Sequence, residues 1–269
     1  MMKTLRFTKM HGISNDYVYI STFDQPEEDW EQLAIRLSDR RTGIGGDGII
    51  LVCPSDVADA KMRIFNADGS EAKMCGNGIR CVGKFVYDKG YTDKTHLSVE
   101  TLSGVKTLDL QIRSGKVKSV TVDMGKVTVG EEKEIAVGGQ TVCGIPVSVG
   151  NPHFVVFVPD AQTAPLQTVG PLIEKHPSFP EGVNAEFVQA TGNNQLRMRV
   201  WERGSGVTMA CGTGACAASA AAVHKGLCRH SVPISVQLDG GTLEIQVDPA
   251  GFVRMTGPAE TVYEGETVL

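Results

Sequence analysis

The chain has no long apolar run and no block of like charge, and these absences exclude two classes of partner. No apolar stretch of about 18 residues occurs, so we expect no membrane-spanning helix. The formal net charge is -5 and the signs are interspersed, which argues against nucleic acid or an anionic membrane as the main partner. We expect a small-molecule partner. Residues 1–5 run straight into a strand-like pattern rather than a secretory signal, so we expect a cytosolic protein.

The chain also lacks the cysteine spacing of a structural zinc site. Cys75 and Cys81 are spaced C-x5-C and Cys211 and Cys216 are spaced C-x4-C, whereas a zinc knuckle has C-x2-C. We therefore expect no bound metal, and free thiols in a reducing cytosol. The cysteines other than Cys75 and Cys211 are expected to be packing residues: Cys53, Cys81, Cys143, Cys216 and Cys228.

A duplicated cysteine motif is the most informative feature that is present. Residues 75–78 read CGNG and residues 211–214 read CGTG, so that Cys211 lies 136 positions after Cys75. The same offset relates other pairs: residues 62–65 and 198–201, and residues 89–90 and 225–226. A duplication in 269 residues predicts two similar lobes. We expect them to be residues 1–117 and 118–269, with the last few residues returning to the first lobe.

Short β-rich runs separated by Gly, Asn and Asp predict a mixed α/β (α+β) protein with mainly antiparallel sheet. The runs are residues 49–53, 61–65, 117–122, 154–158, 196–201, 234–238 and 243–247. Residues 79–89 and 215–223 are expected to be helices, and the second is almost apolar all round, which is typical of a buried helix. We therefore expect two pseudo-symmetric lobes, each a sheet wrapped round a central helix, with the active site in the cleft between them.

Residues 43–48 satisfy G-x-G-x-x-G but lack the context of a dinucleotide site. Apolar residues at helical spacing predict a helix between Pro26 and Gly43: Trp30, Leu33, Ala34 and Leu37. A strand-like run follows the glycines. Because the dinucleotide fingerprint needs a strand before the loop and a helix after it, we do not expect nucleotide binding.

Cys75 and Cys211 each stand just ahead of a predicted helix, where N–H groups without helical partners attract negative charge. Lowering a thiol pKa of about 8.5 by about 1.5 units takes about 2 kcal/mol, and a helix N-terminus typically supplies about 0.3 to 1 kcal/mol. N–H groups of the glycine turns would therefore have to contribute, and they could also bind a carboxylate. Two buried packing cysteines are the alternative, but recurrence of the motif in register argues against it.

The 136-residue offset also aligns polar residues of the two halves. The pairs are Asn15 with Asn151, Gly48 with Asn184, Asn66 with Glu202, and Asn77 with Thr213. Glu202 and Arg203 add both signs of charge on one side, which could recognise an ammonium and a carboxylate. His153 is either a residue that tunes a thiol or a hydrogen-bonded turn histidine.

These motifs resemble those of diaminopimelate epimerases. Residues 65–71 (FNADGSE) and 74–81 (MCGNGIRC) resemble the first signature of that family. The remaining family motifs are resembled, in order, by residues 150–153 (GNPH), 183–185 (VNA), 201–206 (WERGSG) and 210–216 (ACGTGAC). The match runs from His11 to Tyr263.

The resemblance implies a homodimer that converts LL-diaminopimelate to the meso form without a cofactor, in lysine and peptidoglycan-precursor synthesis. It implies that Cys75 and Cys211 are the base and the acid, supported by His153 and Glu202. It also implies a set of substrate-binding residues: Asn15, Asn66, Gly76, Asn77, Asn151, Asn184, Glu202, Arg203, Gly212 and Thr213. Some members carry Gln where Gly48 stands and Ser where Thr213 stands, so Gly48 supplies no side-chain contact.

Two other functions remain as alternatives. Proline racemases share the two-cysteine plan, but their first motif typically has His where this chain has Asn77. A thiol redox or metal-binding protein would need Cys75 and Cys211 to bond or ligate in the resting state. Neither alternative accounts for the amide and charged residues that the epimerase resemblance assigns to a long, doubly zwitterionic amino acid.

Overall fold

The chain forms two compact units in the computed structural model, which describes residues 4–25 and 27–269. Unit 1 consists of Met1–Val122 and Gly257–Leu269, and unit 2 of Asp123–Thr256. Residues 1–3, which entered the expectation about a signal segment, and Pro26, after which a helix is expected, lie outside the described residues. No helix in the described ranges is long and apolar enough to cross a membrane.

Unit 1 is a sheet packed round one buried helix. Its elements are β1 (Thr4–Gly12), β2 (Asn15–Ser21), α1 (Trp30–Ser38), β3 (Gly48–Cys53), β4 (Ala60–Asn66), β5 (Glu71–Ala72), α2 (Gly76–Asp88), β6 (His96–Thr101), β7 (Gly104–Arg113) and β8 (Lys116–Lys126). Helix α2 contacts β1, β2, β3, β4, β6 and β7, and its residues 76–86 are buried. The chain leaves unit 1 within β8, where the predicted boundary at 117 also falls.

Unit 2 repeats this plan round a second buried helix. Its elements are β9 (Thr128–Val129), β10 (Lys133–Val137), β11 (Gln140–Ser148), β12 (Pro152–Phe157), α3 (Leu166–Glu174), β13 (Asn184–Gly192), β14 (Gln195–Glu202), β15 (Gly206–Val207), α4 (Gly212–His224), β16 (Ile234–Leu238), β17 (Gly241–Val247) and β18 (Phe252–Pro258). Through β18 the chain returns to unit 1, where β19 (Glu260–Val268) pairs antiparallel with β1. The almost wholly apolar α4 is buried, as its composition predicts.

The strand registers of the two units repeat the offset seen in the sequence. In unit 1, β2 and β3 are parallel and β3 is antiparallel to β4, with Ile49 opposite Phe65. In unit 2, β12 and β13 are parallel and β13 is antiparallel to β14, with Ala185 opposite Trp201. Both residues of the second pair lie 136 positions after those of the first. The predicted pseudo-symmetric α+β architecture is therefore confirmed within each unit.

The helix limits differ from the predicted ones for local reasons. Helix α1 ends at Ser38, well before Gly43, because the Asp39 carboxylate accepts the N–H groups of Arg41 and Thr42 and turns the chain away. Helices α2 and α4 each begin three residues before the predicted start, because a cysteine caps them. Helix α3 was not indicated by the sequence, since Gly170 and Pro171 interrupt its apolar pattern.

One packing prediction is wrong. Cys143 lies exposed on β11, whereas Cys81, Cys216 and Cys228 are buried and Cys53 is partly buried. Burial raises the pKa of Cys81 to about 11, which keeps it as an inert thiol.

Candidate active site

Cys75 is the N-cap of α2 and is fixed by hydrogen bonds on both sides of its sulfur. Its backbone is extended (φ -135°, ψ 116°), and Sγ accepts the N–H of Gly78 at 3.3 Å. The thiol donates to Oδ1 of Asn15, also at 3.3 Å. The Asn15 amide is oriented in turn, because its Nδ2 donates to Asp47 at 2.7 Å. The structure therefore brings the predicted residues Asn15 and Cys75 together.

An ion cluster holds the glycine-rich loop of residues 43–48 beside Asn15. Arg40 bridges Asp16 (2.7 Å) and Asp47 (2.9 Å), and Lys9 binds Asp16 at 2.6 Å and the carbonyl of Gly45. Burial raises the pKa of Asp16, but the hydrogen bonds from Arg40 and Lys9 outweigh it and leave that pKa below its usual range. The loop thus supports the residues around Cys75. Helix α1 precedes the loop and strand β3 follows it, as the sequence predicts.

Gly48 has no room for a side chain in this backbone. A Cβ there would lie 2.1 Å from the carbonyl oxygen of Phe65 on the neighbouring strand. A Gln at this position would therefore need a different local backbone. The partner of Gly48 across the strands is Asn66, whose Nδ2 donates to Ser70 at 3.0 Å in the turn after β4.

Cys211 caps α4 in the same way as Cys75 caps α2. Its backbone angles are φ -129° and ψ 106°, and Sγ accepts the N–H of Gly214 at 3.4 Å. The Thr213 hydroxyl lies 3.7 Å from Sγ. Two cysteines 136 positions apart thus have matching conformations and matching N–H donors.

The electrostatic setting of Cys211 differs from the expectation of a thiol poised toward thiolate. Burial raises its pKa well above the usual value, and the negative charges of Glu202 and Glu186 raise it further. The N–H of Gly214 and the Thr213 hydroxyl act in the opposite direction but do not compensate. Cys211 is therefore a neutral thiol at neutral pH.

We expect alkylation of Cys211 by iodoacetamide to be slow at pH 7 and to accelerate still above pH 9, because only the thiolate reacts. Replacing Glu202 by Gln removes the negative charge that raises this pKa most and should increase the rate at pH 7 several-fold. Peptide mass spectrometry against pH measures both rates. An unchanged rate in Glu202→Gln would show that access to the 5 % exposed residue, rather than charge, controls its reactivity.

Three strands of unit 2 place polar side chains on the sheet face that α4 covers. His153 lies opposite Asn184 on parallel strands. Glu202 comes directly after Trp201, which lies opposite Ala185 on antiparallel strands. Because side chains alternate along a strand, these three and Glu186 share one face. The structure thus gathers residues that the sequence offset had only aligned.

The amide of Asn184 links two neighbouring loops. Its Nδ2 donates to the carbonyl of Pro152 at 3.1 Å, and its Oδ1 accepts the N–H of Arg203 at 2.9 Å. Asn151 lies nearby, and its Nδ2 donates to the hydroxyl of Thr213 at 3.3 Å. Asn184 therefore joins the backbones of Pro152 and Arg203, and Asn151 is bonded to the first turn of α4.

Glu202 and Arg203 are held by a turn that Glu174 clamps. The Glu174 carboxylate accepts the indole N–H of Trp201 at 2.6 Å and the N–H of Gly204 at 2.9 Å. The guanidinium of Arg203 donates to the carbonyl of Glu181 at 2.9 Å. Burial raises the pKa of Glu202 above its usual range, although Thr208 and Cys211 donate to its carboxylate. A partly buried carboxylate and an exposed arginine are thus adjacent in the chain.

Four residues that support the site were not among the sequence-based candidates: Asp47, Arg80, Glu174 and Glu186. Asp47 lies in a segment whose pattern indicates only a turn. Glu174 lies in α3, which the sequence did not indicate. Arg80 is 0 % exposed and donates to Oδ1 of Asn77 at 3.0 Å, so it orients a predicted site residue from inside α2. No group of three or more His, Cys, Asp or Glu that could hold a metal occurs within the described parts of the chain.

Comparison with known proteins identifies the family. The family model for diaminopimelate epimerase matches residues 7–130 and 145–262. The diaminopimelate epimerase of Bacillus subtilis (strain 168) is 50 % identical over 280 residues, covering 98 % of this chain and 99 % of the relative. That of Parabacteroides distasonis is 51 % identical over 267 residues, covering 98 % of each.

Solved structures at lower identity share the fold. A PhzF-family phenazine biosynthesis protein from Bacillus anthracis superposes with a TM-score of 0.78 at 17 % identity over 100 % of both chains. A hydroxyproline epimerase from Agrobacterium vitis, solved with trans-4-hydroxy-L-proline, gives 0.72 at 19 % identity, covering 100 % of this chain and 94 % of that one. The fold alone would leave the subfamily open, but the full-length sequence matches decide it: the chain belongs to the diaminopimelate epimerase family of amino-acid epimerases.

Proposed function

We propose that this chain converts LL-diaminopimelate to meso-diaminopimelate with Cys75 and Cys211 as a thiolate and thiol pair, and without pyridoxal phosphate. Family membership supports the substrate. The observation that carries the mechanism is the matched setting of the two thiols, each an N-cap whose sulfur accepts the N–H three residues on. One such cysteine is compatible with packing, but two in register call for a shared chemical role.

The reaction inverts one α-carbon by moving two protons. A thiolate removes the α-proton from one face, and a thiol delivers a proton to the opposite face, so the two sulfurs exchange protonation states in each turnover. Because burial and the charges of Glu202 and Glu186 raise the pKa of Cys211, Cys211 starts as the acid. To act as the base for the first isomer bound, Cys75 must first lose to solvent the proton that it donates to Asn15 Oδ1 in the free protein.

The carbanionic transition state needs stabilisation where its charge develops, on the substrate carboxylate. The first turns of α2 and α4 offer backbone N–H groups at positive helix ends, contributed by Gly76 and Asn77 in one unit and by Gly212 and Thr213 in the other. Fixed donors of this kind need no reorganisation during the reaction, and removing one typically costs about 10²- to 10³-fold in rate. They replace the electron sink that a cofactor would supply.

Diaminopimelate carries a second amino-acid group, and the chain has residues of suitable charge to recognise it. Arg203 would pair with the distal carboxylate and Glu202 with an ammonium, while four amides complete the hydrogen bonds: Asn15, Asn66, Asn151 and Asn184. Proline has no such second group. The homodimer and the cytosolic location implied by the resemblance belong to this proposal as well.

An assay in deuterated water without added cofactor tests substrate and chemistry together. LL-diaminopimelate should be converted to a mixture with the meso isomer, and deuterium should enter the α-position. L-proline should remain unchanged. Racemisation of proline with no conversion of diaminopimelate, or activity only after pyridoxal phosphate is added, would refute the proposal. A stable zinc stoichiometry in protein purified under reductant would favour the metal-binding alternative.

A further inference from the structure

Glu186 and His153 form a buried pair of a carboxylate and an imidazole close to the Cys211 motif. Oε1 of Glu186, on β13, is 2.6 Å from Nδ1 of His153, on β12, and both side chains are 0 % exposed. The other oxygen of Glu186 has no hydrogen-bond partner within the described ranges. A buried carboxylate with one unpartnered oxygen costs stability, so its presence needs a reason.

The pair is connected to the thiol through a chain of short contacts. Nε2 of His153 lies 3.1 Å from Oδ1 of Asn151, and Nδ2 of Asn151 lies 3.3 Å from Oγ1 of Thr213. That hydroxyl lies 3.7 Å from the sulfur of Cys211. The hydrogen bonds thus run from the interior carboxylate to the first turn of α4.

Unit 1 shows that the fold itself does not require this pair. The positions 136 residues before Glu186 and His153 are occupied by Ile50 and Tyr17. Ile50 and Glu186 take the same place against their helices, since a Cβ on Gly78 would meet Ile50 at 2.6 Å and a Cβ on Gly214 would meet Glu186 at 3.0 Å. An apolar side chain fills the site in one unit and a carboxylate in the other.

We propose that Glu186 is a positioning residue for the reaction at Cys211. Its carboxylate accepts the proton on Nδ1 of His153 and so fixes the ring, and the ring in turn holds the Asn151 and Thr213 side chains beside the thiol. This inference rests on the proposed function, because the thiol it serves is a catalytic one there. Glu186 positions the thiol's neighbours through His153, and its charge also raises the pKa of Cys211.

Glu186 controls which tautomer the His153 ring adopts. A carboxylate can only accept, so Nδ1 must carry a proton. In that tautomer Nε2 is an acceptor and needs a donor, so the Asn151 amide must turn its Nδ2 toward the ring and its Oδ1 toward the Thr213 hydroxyl, which then donates to it. An amide at position 186 can present either its oxygen or its nitrogen, so the preference for one tautomer is lost. Among the described residues, Glu202, on β14, and the Cys211 thiol, at α4, are the other titratable groups that face this pair, and neither is changed by the substitution.

Glu186→Gln should lower kcat about 10- to 100-fold in both directions while KM changes less than about threefold, because orientation at the reacting carbon is lost and substrate contacts are kept. Asp239→Asn is the matched control. Asp239 is a largely buried carboxylate of the same unit that pairs with Arg197 and Arg199, so its loss should affect stability and leave kcat unchanged.

A double-mutant cycle separates positioning from general destabilisation. In a His153→Gln background, Glu186→Gln should lower kcat several-fold less than in the wild-type background, since the residue it positions is gone and only the effect of its charge on Cys211 remains. A loss as large as in the wild-type background would overturn the proposal, and so would wild-type kcat in the single variant.

Nitrogen-15 NMR of the free protein tests the tautomer without any turnover. The His153 ring signals, identified by their absence in His153→Gln, should show protonated Nδ1 in the wild type and a mixture of tautomers in Glu186→Gln. Identical ring signals in the two proteins would contradict the proposal. If the wild type failed to convert diaminopimelate while this NMR difference appeared, the proposed function would be wrong and the positioning of His153 would stand.

Discussion

Replacing Cys75 or Cys211 by alanine should lower the conversion of LL-diaminopimelate to the meso isomer by about 10³-fold or more. Each substitution removes one of the two groups that must hold a proton in the transition state, and one general acid or base typically contributes about 10²- to 10⁴-fold. The helix ends that stabilise charge stay in place, so substrate binding should change little. Steady-state rates with each isomer, and binding of diaminopimelate to the inactive variants by calorimetry, measure the two effects.

The one-thiol variants should also separate proton abstraction from inversion. A variant that keeps only one sulfur can remove and return a proton on one face, so it should exchange the α-hydrogen of one isomer with deuterated water and leave that of the other isomer untouched. Cys143→Ala is the control, because Cys143 lies exposed on β11 and its loss should leave the rate unchanged. A near-normal rate in either single variant would refute a mechanism with one thiol on each face.

Much of the fold could be predicted because its signals are local. Each of the seven predicted β-rich runs overlaps an observed strand, and the apolar residues of α1 are buried as their spacing indicates. Strands that are polar or rich in glycine lack such a signal. Strand β19 is an example, because it is largely exposed. The return of β19 to β1 depends on contacts across nearly the whole chain, which no window of sequence contains.

The candidate site could be predicted where the two halves carry the same residue at the 136-residue offset, and it could not be predicted where they carry different residues. Cys75 and Cys211 recur in register, and the structure gives both the same cap geometry. Glu186 stands in a strand where alternating polarity is ordinary, so its sequence context carries no signal. The 136-residue offset does carry a signal for Glu186, because it aligns this carboxylate with the apolar Ile50 of the first half.

The two units carry opposite buried charges at their cysteine motifs. In unit 1 the fully buried Arg80 lies in α2, and the position 136 residues later is the neutral Cys216. In unit 2 the charges near Cys211 include the buried Glu186 and the partly buried Glu202. The anions of unit 2 raise the pKa of Cys211, so this difference in charge favours unequal roles for two thiols in similar backbones.

Arg80→Met should lower the free energy of unfolding of the protein by about 2 to 4 kcal/mol, because it removes three hydrogen bonds from a charged donor to buried acceptors. The guanidinium donates to the carbonyl oxygens of Pro258 and Gly76, both at 3.1 Å, and to Oδ1 of Asn77 at 3.0 Å. It thereby ties the returning C-terminal segment to the first turn of α2. Denaturant unfolding, followed by circular dichroism, measures the change.

Arg36→Met is the matched control, since Arg36 lies on the exposed face of α1 and its loss should change the free energy of unfolding by less than about 0.5 kcal/mol. Arg80→Lys should fall between the two, because an ammonium keeps the charge but cannot reproduce the planar set of donors that reaches three acceptors in different directions. An Arg80→Met protein as stable as the Arg36→Met protein would mean that the buried guanidinium does not hold unit 1 together. In that case its charge, rather than its hydrogen bonds, would be the reason for its place beneath the Cys75 motif.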